Sequence, residues 1–306
     1  MMKTALYGGI NAAVLTAMNA DLSIDLDRMA AHSKWLLANG CNGLGVLGTT
    51  GEANSLGVSE RIDILEGLVA RGIPAAKMMP GTGTPALPDT VLLTKKAKEL
   101  GSPGVLVLPP FFYKNPSDDG LFAYFSELVN RTGGETAIYL YHFPQQSATP
   151  FSHELIDRLI TAFPGVIRGM KDSSGDLANQ LAVLEKFAPR GFELYTGGDD
   201  LLQTVLKKGA AGCITAAANI NSSAGRVVYA DPNAPAADAA HLVLAATRKA
   251  VTRFNLIASL KAVVARNTGN PAWNNIRPPH LKLTDAQQAQ LLADIDASGV
   301  ELARAA

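Results

Sequence analysis

Eight short apolar runs of β character recur along roughly the first 220 positions of the chain, and helical patterns separate them. The runs cover 8–16, 43–48, 75–81, 104–110, 137–143, 166–172, 193–198 and 212–217. Helical periodicity fits 24–40, 59–71, 87–100, 118–131, 152–163, 176–188 and 200–208. In the first of these, Leu26, Met29, Ser33 and Leu36 share a face and Gly40 supplies a stop. In the second, Ser59 reads as the N-cap and Ile62, Leu65 and Val69 share a face. Strands joined through helices must be parallel, with the helices covering the sheet. Eight such units predict an α/β protein, a (β/α)8 TIM barrel, for which about 250 residues is usual. Past residue 222 only Ala-rich helical patterns remain, at 234–266 and 284–304, with the loop "NTGNPAWNNIRPP" between them. The expected organisation is a catalytic barrel over 1–222 and a C-terminal helical extension over 223–306.

Bulk properties narrow the function classes. The chain is 47% hydrophobic and 18% charged, enough apolar material for a large core. Its 27 basic and 27 acidic residues balance and form no long run of one sign, so nothing marks a nucleic-acid or membrane footprint. No apolar run approaches the ~18 residues of a membrane-span candidate. The N-terminal "MMKTALYGGINAAVL" has one lysine, then glycines and Asn11 within its apolar part, and makes a poor signal peptide. Cys41 and Cys213 lie in apolar surroundings and read as buried thiols, which suits a reducing compartment. The expectation is a soluble, cytoplasmic protein.

One motif invites a false reading. Gly43, Gly45 and Gly48 in "GLGVLG" spell Gly-x-Gly-x-x-Gly, the dinucleotide-binding fingerprint. That fingerprint needs its glycines at a strand-to-helix turn. Here they fall inside the strand, and the turn is the following "TTGEANSLG", so a nucleotide reading fails on context.

In a TIM barrel the reacting groups gather where strands end. Side chains alternate along a strand, so Ile167, Gly169 and Lys171 share one face and Met170 takes the other. A lysine facing the lumen is desolvated, and desolvation favours the neutral amine, a nucleophile that forms a Schiff base with a ketone. A strand-end lysine turned to solvent is the competing outcome. Tyr139, Tyr141 and Phe143 share a face of the fifth run, so Tyr141 is either a proton relay beside Lys171 or a packing aromatic. Thr49 and Thr50, flanked by glycines ahead of a helix, offer hydroxyls and successive N–H groups to an anion, or simply shape a turn. Glu52 is expected to anchor that turn by accepting backbone N–H bonds. The histidines show no spacing suited to metal ligation, and His142 points away from Tyr141.

Taken together, "GTTGE" (48–52), Y-x-x-P (141–144), "GMKDSSGD" (169–176), "GGDD" (197–200) and G-x-I-T-x-x-A-N (212–219) resemble the dihydrodipicolinate synthase / N-acetylneuraminate lyase family over roughly residues 8–270. The resemblance implies a class I, Schiff-base lyase that binds pyruvate or a 2-oxo acid covalently as an imine on Lys171, with no separate cofactor and no metal. It makes Tyr141 the phenolic acid/base, and Thr49 a member of the proton relay. Thr49 and Thr50 hold the substrate carboxylate, with Gly48, Gln146, Gly198 and Ile214 as further substrate-binding positions. Tyr113, in "FFYKNP" beside Phe112, resembles the tyrosine that family members insert into a neighbouring subunit. The implied assembly is a homotetramer, a dimer of dimers, and the implied partners are a small 2-oxo acid and an aldehyde.

Departures bear on the substrate. Synthases of the family end the fifth strand with Y-N-V-P-x-R, where the arginine holds the carboxylate of aspartate semialdehyde. Here the segment is "YHFPQQSAT", with Gln146 at that place, and glutamine cannot form the bidentate charged pair. The expected reaction is therefore reversible aldol cleavage of a 2-oxo-3-deoxy (sugar) acid to pyruvate and an aldehyde. The alternatives are a 4-hydroxy-tetrahydrodipicolinate synthase, a 2-oxo-3-deoxy acid dehydratase or hydratase-aldolase, and a catalytically idle pyruvate-binding protein. The usual T-P-F after the first run is replaced by Thr16-Ala17-Met18.

Overall fold

The computed structural model describes residues 5–302. Positions 1–4 of the N-terminal stretch and 303–304 of the last helical pattern lie outside it. Seven parallel strands form one sheet: β1 (Gly9–Ala13), β2 (Gly43–Gly45), β3 (Gly104–Val107), β4 (Ala137–His142), β5 (Ile167–Asp172), β6 (Glu193–Thr196) and β7 (Gly212–Thr215). Their order is β2-β1-β7-β6-β5-β4-β3, so β2 and β3 are the two edges of a nearly closed barrel.

The run at 75–81 fills the gap without becoming a regular strand. Residues Ala75–Lys77 form a 3-10 turn. Beyond it, Met79 N–H donates to Leu44 O and Gly81 N–H to Val46 O, each at 2.8 Å. On the other side Leu106 N–H donates to Pro80 O at 2.8 Å. The barrel therefore closes through an extended segment whose Pro80 has no N–H to give, which limits it to isolated bridges at Met78 and Gly81. The approach is close enough to require glycine, since a Cβ on Gly81 would lie 2.3 Å from Leu47 O.

Helices α1 (Leu26–Ala38), α2 (Val58–Ala70), α3 (Leu87–Glu99), α4 (Asp118–Thr132), the short α5 (Pro144–Ser147), α6 (His153–Ala162), α7 (Leu177–Phe187), the short α8 (Leu202–Leu206) and α9 (Ala218–Ala230) surround the barrel. Side-chain oxygens cap several of them: Asp25 accepts from Arg28 N, Ser117 from Gly120 N, Ser152 from Leu155 N and Asp176 from Asn179 N. Ser59 is not the cap of α2. The cap is Gly57, and Glu60 reaches back to its N–H at 2.9 Å, leaving Ser59 inside the first turn. The buried face of α2 is Arg61, Ile64, Leu65 and Leu68, with Ile62 and Val69 at its margins.

Helix α9 runs through the 222/223 position and packs on β1 and on α10 (Pro235–Val251). The pattern at 234–266 is two helices, because Asn255 accepts from Ala258 N and starts α11 (Leu256–Thr268). Residues Asp285–Ala297 form α12 behind a Thr284/Gln287 capping box. These helices share an apolar core with α1, α2 and β1.

A separate apolar cluster fills the lumen, with Ala13, Met79, Leu106, Tyr139, Tyr141, Tyr195 and Ile214. At its base Tyr139 and Tyr195 both donate to Glu193 Oε2, at 2.8 and 3.0 Å, and Arg168 pairs with the other oxygen at 2.8 Å. The lumen is thus plugged below and can hold a small molecule only at the strand C-termini.

Candidate active site

The parallel register of β4 and β5 sets Tyr141 opposite Lys171 and Tyr139 opposite Gly169. Gly169 is where the tyrosine ring below needs room: a Cβ there would sit 2.3 Å from Glu193 O and 2.8 Å from the Tyr139 ring. Lys171 is 5% exposed and turns into the lumen, its Nζ 4.3 Å from the centroid of the Tyr141 ring. Met170 packs among the outer helices and Asp172 also turns away, taking Ser174 N–H at 2.8 Å and Asn179 Nδ2 at 2.8 Å. That clasp holds the loop after β5 in place above Lys171.

The Tyr141 hydroxyl lies 3.3 Å from Thr49 Oγ1. Burial would raise its pKa, but the Lys171 charge and hydrogen bonds from Thr49, Lys171 and Ser173 outweigh it and hold the phenol below its ordinary value. A buried tyrosine that ionises more readily than usual, touching an amine, is suited to moving protons.

Gly48, Thr49 and Tyr141 line a small cavity at this end of the barrel. A Cβ on Gly48 would meet nothing within 4 Å, so that position faces open space. Thr50 is buried beside it. The turn is held from two sides. Thr16 donates to Gly51 O at 2.6 Å, which gives the residue of the altered Thr16-Ala17-Met18 segment a defined task. Glu52, in left-handed backbone at φ 56°, closes the turn with its own N–H on Thr49 O at 3.0 Å, but its side chain bonds elsewhere. Its carboxylate accepts Arg277 N–H at 3.1 Å and forms a buried ion pair with Lys261.

The other sequence-selected positions divide. Ile214 is buried in the lumen on β7, within the same cluster as Tyr141. Gly198 follows β6, its N–H on Thr196 Oγ1 at 3.2 Å, and the neighbouring Asp199 carboxylate accepts from Thr215 at 2.7 Å. Burial raises the Asp199 pKa, with Arg248 and Thr215 opposing. Gln146 is exposed on α5, and the adjacent Gln145 is the one that reaches across, to Ser174 O at 2.7 Å. Tyr113 is 76% exposed beside Phe112 at 68%, with their rings edge-to-face at 5.3 Å, and neither reaches Lys171 within this chain. His142 accepts Phe151 N–H on its Nδ1 at 3.2 Å, a structural role on the outer face. Cys41 and Cys213 are free, buried thiols, and burial raises both pKa values.

The family model described as the dihydrodipicolinate synthetase family matches residues 6–298. The chain belongs to that family. An uncharacterized DapA-like lyase of Chloroflexus aurantiacus is 34% identical over 289 residues, 93% of this chain and 95% of the relative. Among solved structures, dihydrodipicolinate synthase of Agrobacterium tumefaciens superposes with a TM-score of 0.88 at 30% identity, covering 95% of this chain and 99% of that one. YagE of E. coli K12, a prophage protein of the family crystallised with pyruvate, gives 0.89 at 26% identity, covering 97% and 100%. The lysine, tyrosine and threonine gathered at the barrel mouth thus belong to an enzyme of a lyase and aldolase family.

Two residues of this enzyme's site were not selected from the sequence. Arg61 is buried at 3% exposure, lines the cavity beside Thr49 and Tyr141, and donates to Gly81 O at 2.7 Å. Burial lowers its pKa to about 10, with Asp89 opposing. It lies on the buried α2 face in line with Ile64, Leu65 and Leu68, but a polar residue there leaves no mark in the apolar pattern. Lys261 carries no signal either, because its partner Glu52 is more than two hundred positions away.

Proposed function

We propose that the protein is a class I lyase that forms a Schiff base between Lys171 and a 2-oxo acid, cleaving a 2-oxo-3-deoxy sugar acid reversibly to pyruvate and an aldehyde. The observation that carries it is the buried Lys171 amine against the Tyr141 ring, with the Tyr141 hydroxyl on Thr49. Lys171 Nζ attacks the C2 carbonyl, and loss of water gives the imine. The Tyr141 phenolate takes the proton of the C4 hydroxyl, the C3–C4 bond breaks, and its electrons enter the imine to give an enamine. The aldehyde leaves, Tyr141 returns the proton to C3, and water releases pyruvate from Lys171. The "TTGE" turn presents Thr49 and Thr50 to the substrate carboxylate, and the imine is the only covalent group required.

Gln146, neutral and exposed where a carboxylate-binding arginine is expected in a synthase, supports a hydroxylated aldehyde over aspartate semialdehyde. The name of the Agrobacterium tumefaciens structure favours the synthase as the second reading. Tyr113 and Phe112 reach a neighbouring copy's site in a homotetramer, which accounts for two large exposed rings on one loop. The enzyme acts in the cytoplasm on small molecules.

Borohydride reduction with pyruvate, followed by peptide mapping, tests the covalent step. The expected product is a single reduced adduct on Lys171, and its absence overturns the Schiff-base reading. Turnover of 2-oxo-3-deoxygluconate against aspartate semialdehyde plus pyruvate then separates aldolase from synthase, and preference for the latter pair overturns the aldolase reading.

A further inference from the structure

A larger cavity, about 590 Å³, opens on the far side of β1 from the lumen, between α1, the start of α9, and α11 with the turn after it. That volume lies within the ~300–1,000 Å³ range of small-molecule sites. Its wall is aromatic: His32 stacks on Trp35 with ring centroids 5.8 Å apart and meets Trp273 edge-on at 5.0 Å. The wall is also rigid. His32 Nε2 is hydrogen-bonded to Asn219 Oδ1 at 2.9 Å, and Asn219 donates to Ala13 O at 2.7 Å and to Ala216 O at 2.8 Å. These bonds preform the pocket, so a ligand has little ordering to impose.

Its polar lining favours one charge. Arg28 and Lys34 face the cavity, and no acidic side chain lines it among the described residues. Arg28 is held by Asp25 at 2.7 Å, whereas Lys34 has no ion-pair partner among the described residues. The Trp35 ring is partly exposed to the cavity, whereas its Nε1–H is shut away from it. An anion answers the Arg28 and Lys34 charges, and a flat apolar body answers the partly exposed Trp35 ring, which His32 and Trp273 back from beneath.

We propose that this cavity is a second ligand site, distinct from the barrel mouth, for a small carboxylate bearing a planar aromatic body. The site uses none of the residues assigned to catalysis, and it stands whether or not Lys171 forms an imine.

The chain has two tryptophans, Trp35 and Trp273, and both line this cavity, so its intrinsic tryptophan fluorescence reports on this site alone. Phenylacetate is the probe: it has no ketone to react with Lys171 and does not fluoresce with tryptophan. The expected result is a saturable change in emission with phenylacetate and none with benzylamine, which carries the opposite charge. Lys34→Gln weakens phenylacetate by about tenfold or more, the size of one charge-assisted hydrogen bond, and Trp35→Ala weakens it by about fivefold or more through loss of the ring it packs on. Ala38→Phe, which fills the cavity from its rim, abolishes the response while pyruvate trapping on Lys171 is unchanged. The proposal is overturned by the absence of saturation at about 10 mM, where affinity is negligible. It is equally overturned by a response to benzylamine as strong as that to phenylacetate, or by an Ala38→Phe protein that responds like the parent. An emission change that follows protein concentration and a doubling of mass also overturns it, since the cavity is then covered by a second copy.

Discussion

At the scale of single residues, chemistry depends on which way one side chain points. Lys171 shares the inner face of β5 with Gly169 alone: the register shift between Ile138 and Tyr139 breaks the alternation, so Ile167 packs outward with Ile138 and Met170, and Gly169 lets the Tyr139 ring pass beneath Lys171. Lys171→Ala is expected to remove pyruvate trapping and lower kcat by about a thousandfold or more, measured by mass spectrometry and steady-state assay. Tyr141→Phe keeps the amine and loses the proton carrier. It should still trap pyruvate while kcat falls by about 10²–10⁴. A Tyr141→Phe enzyme that cleaves at the parent rate rules out the phenol as acid/base. His32 offers a stability test of burial. Desolvation lowers its pKa from 6.5 to about 4, with the Asn219 bond opposing, so the folded ring stays neutral where the unfolded ring takes a proton. Stability from this group is complete above pH 6.5 and is lost as pH falls toward 4, by about 3 kcal/mol. Urea unfolding of His32→Gln beside the parent protein should show a shallower loss between neutrality and pH 4.5. Parallel curves would contradict the assignment.

At the scale of elements, the "TTGE" turn is shaped by segments remote from it in sequence. Helix α11 supplies Lys261, 1% exposed, to a Glu52 carboxylate that is fully buried. Arg277 adds its backbone N–H to Glu52, and its guanidinium takes Glu60 at 2.6 and 2.9 Å. Lys261→Met strands the Glu52 charge and should cost about 3–5 kcal/mol, seen as a fall in Tm. Glu52→Gln in the same chain should recover most of that loss, because the uncompensated charge is gone. No recovery would mean that Lys261 acts through packing alone. The periodicity of α2 illustrates how much an element shows in advance. An apolar stripe was legible at Leu65, but its centre is displaced onto Arg61, Ile64 and Leu68. A buried arginine is invisible to hydrophobic periodicity, because only the tertiary cavity makes it an interior residue.

At the scale of the molecule, the barrel and its extension share one core, in which α9, α10, α11 and α12 pack with α1, α2 and β1. A chain ending after Ala230 loses Lys261 and exposes that apolar face. It is expected to be insoluble or to bind hydrophobic dyes, and a soluble, cooperatively unfolding barrel would show that the extension is dispensable. Phe112→Asp with Tyr113→Asp, judged by sedimentation and kcat, should reduce both assembly mass and turnover. An unchanged mass would remove those rings from any interface.

The alternation of apolar runs with helical stretches determined the parallel barrel, because a parallel strand pair needs a covering crossover and eight such units close on themselves. Strand alternation likewise placed Lys171 and Tyr141 on inward faces, since the period of two is local. The regularity of the third position was not legible at that range: Pro80 and the 3-10 turn before it leave bridges where the apolar run reads as a strand. Only the tertiary structure decided that Glu52 answers to Lys261 and that Tyr113 stands out from the chain's own site. It alone gathered Trp35 and Trp273 into one cavity. These are pairings across long separations, set by how the closed barrel and its extension pack, and no local pattern encodes them.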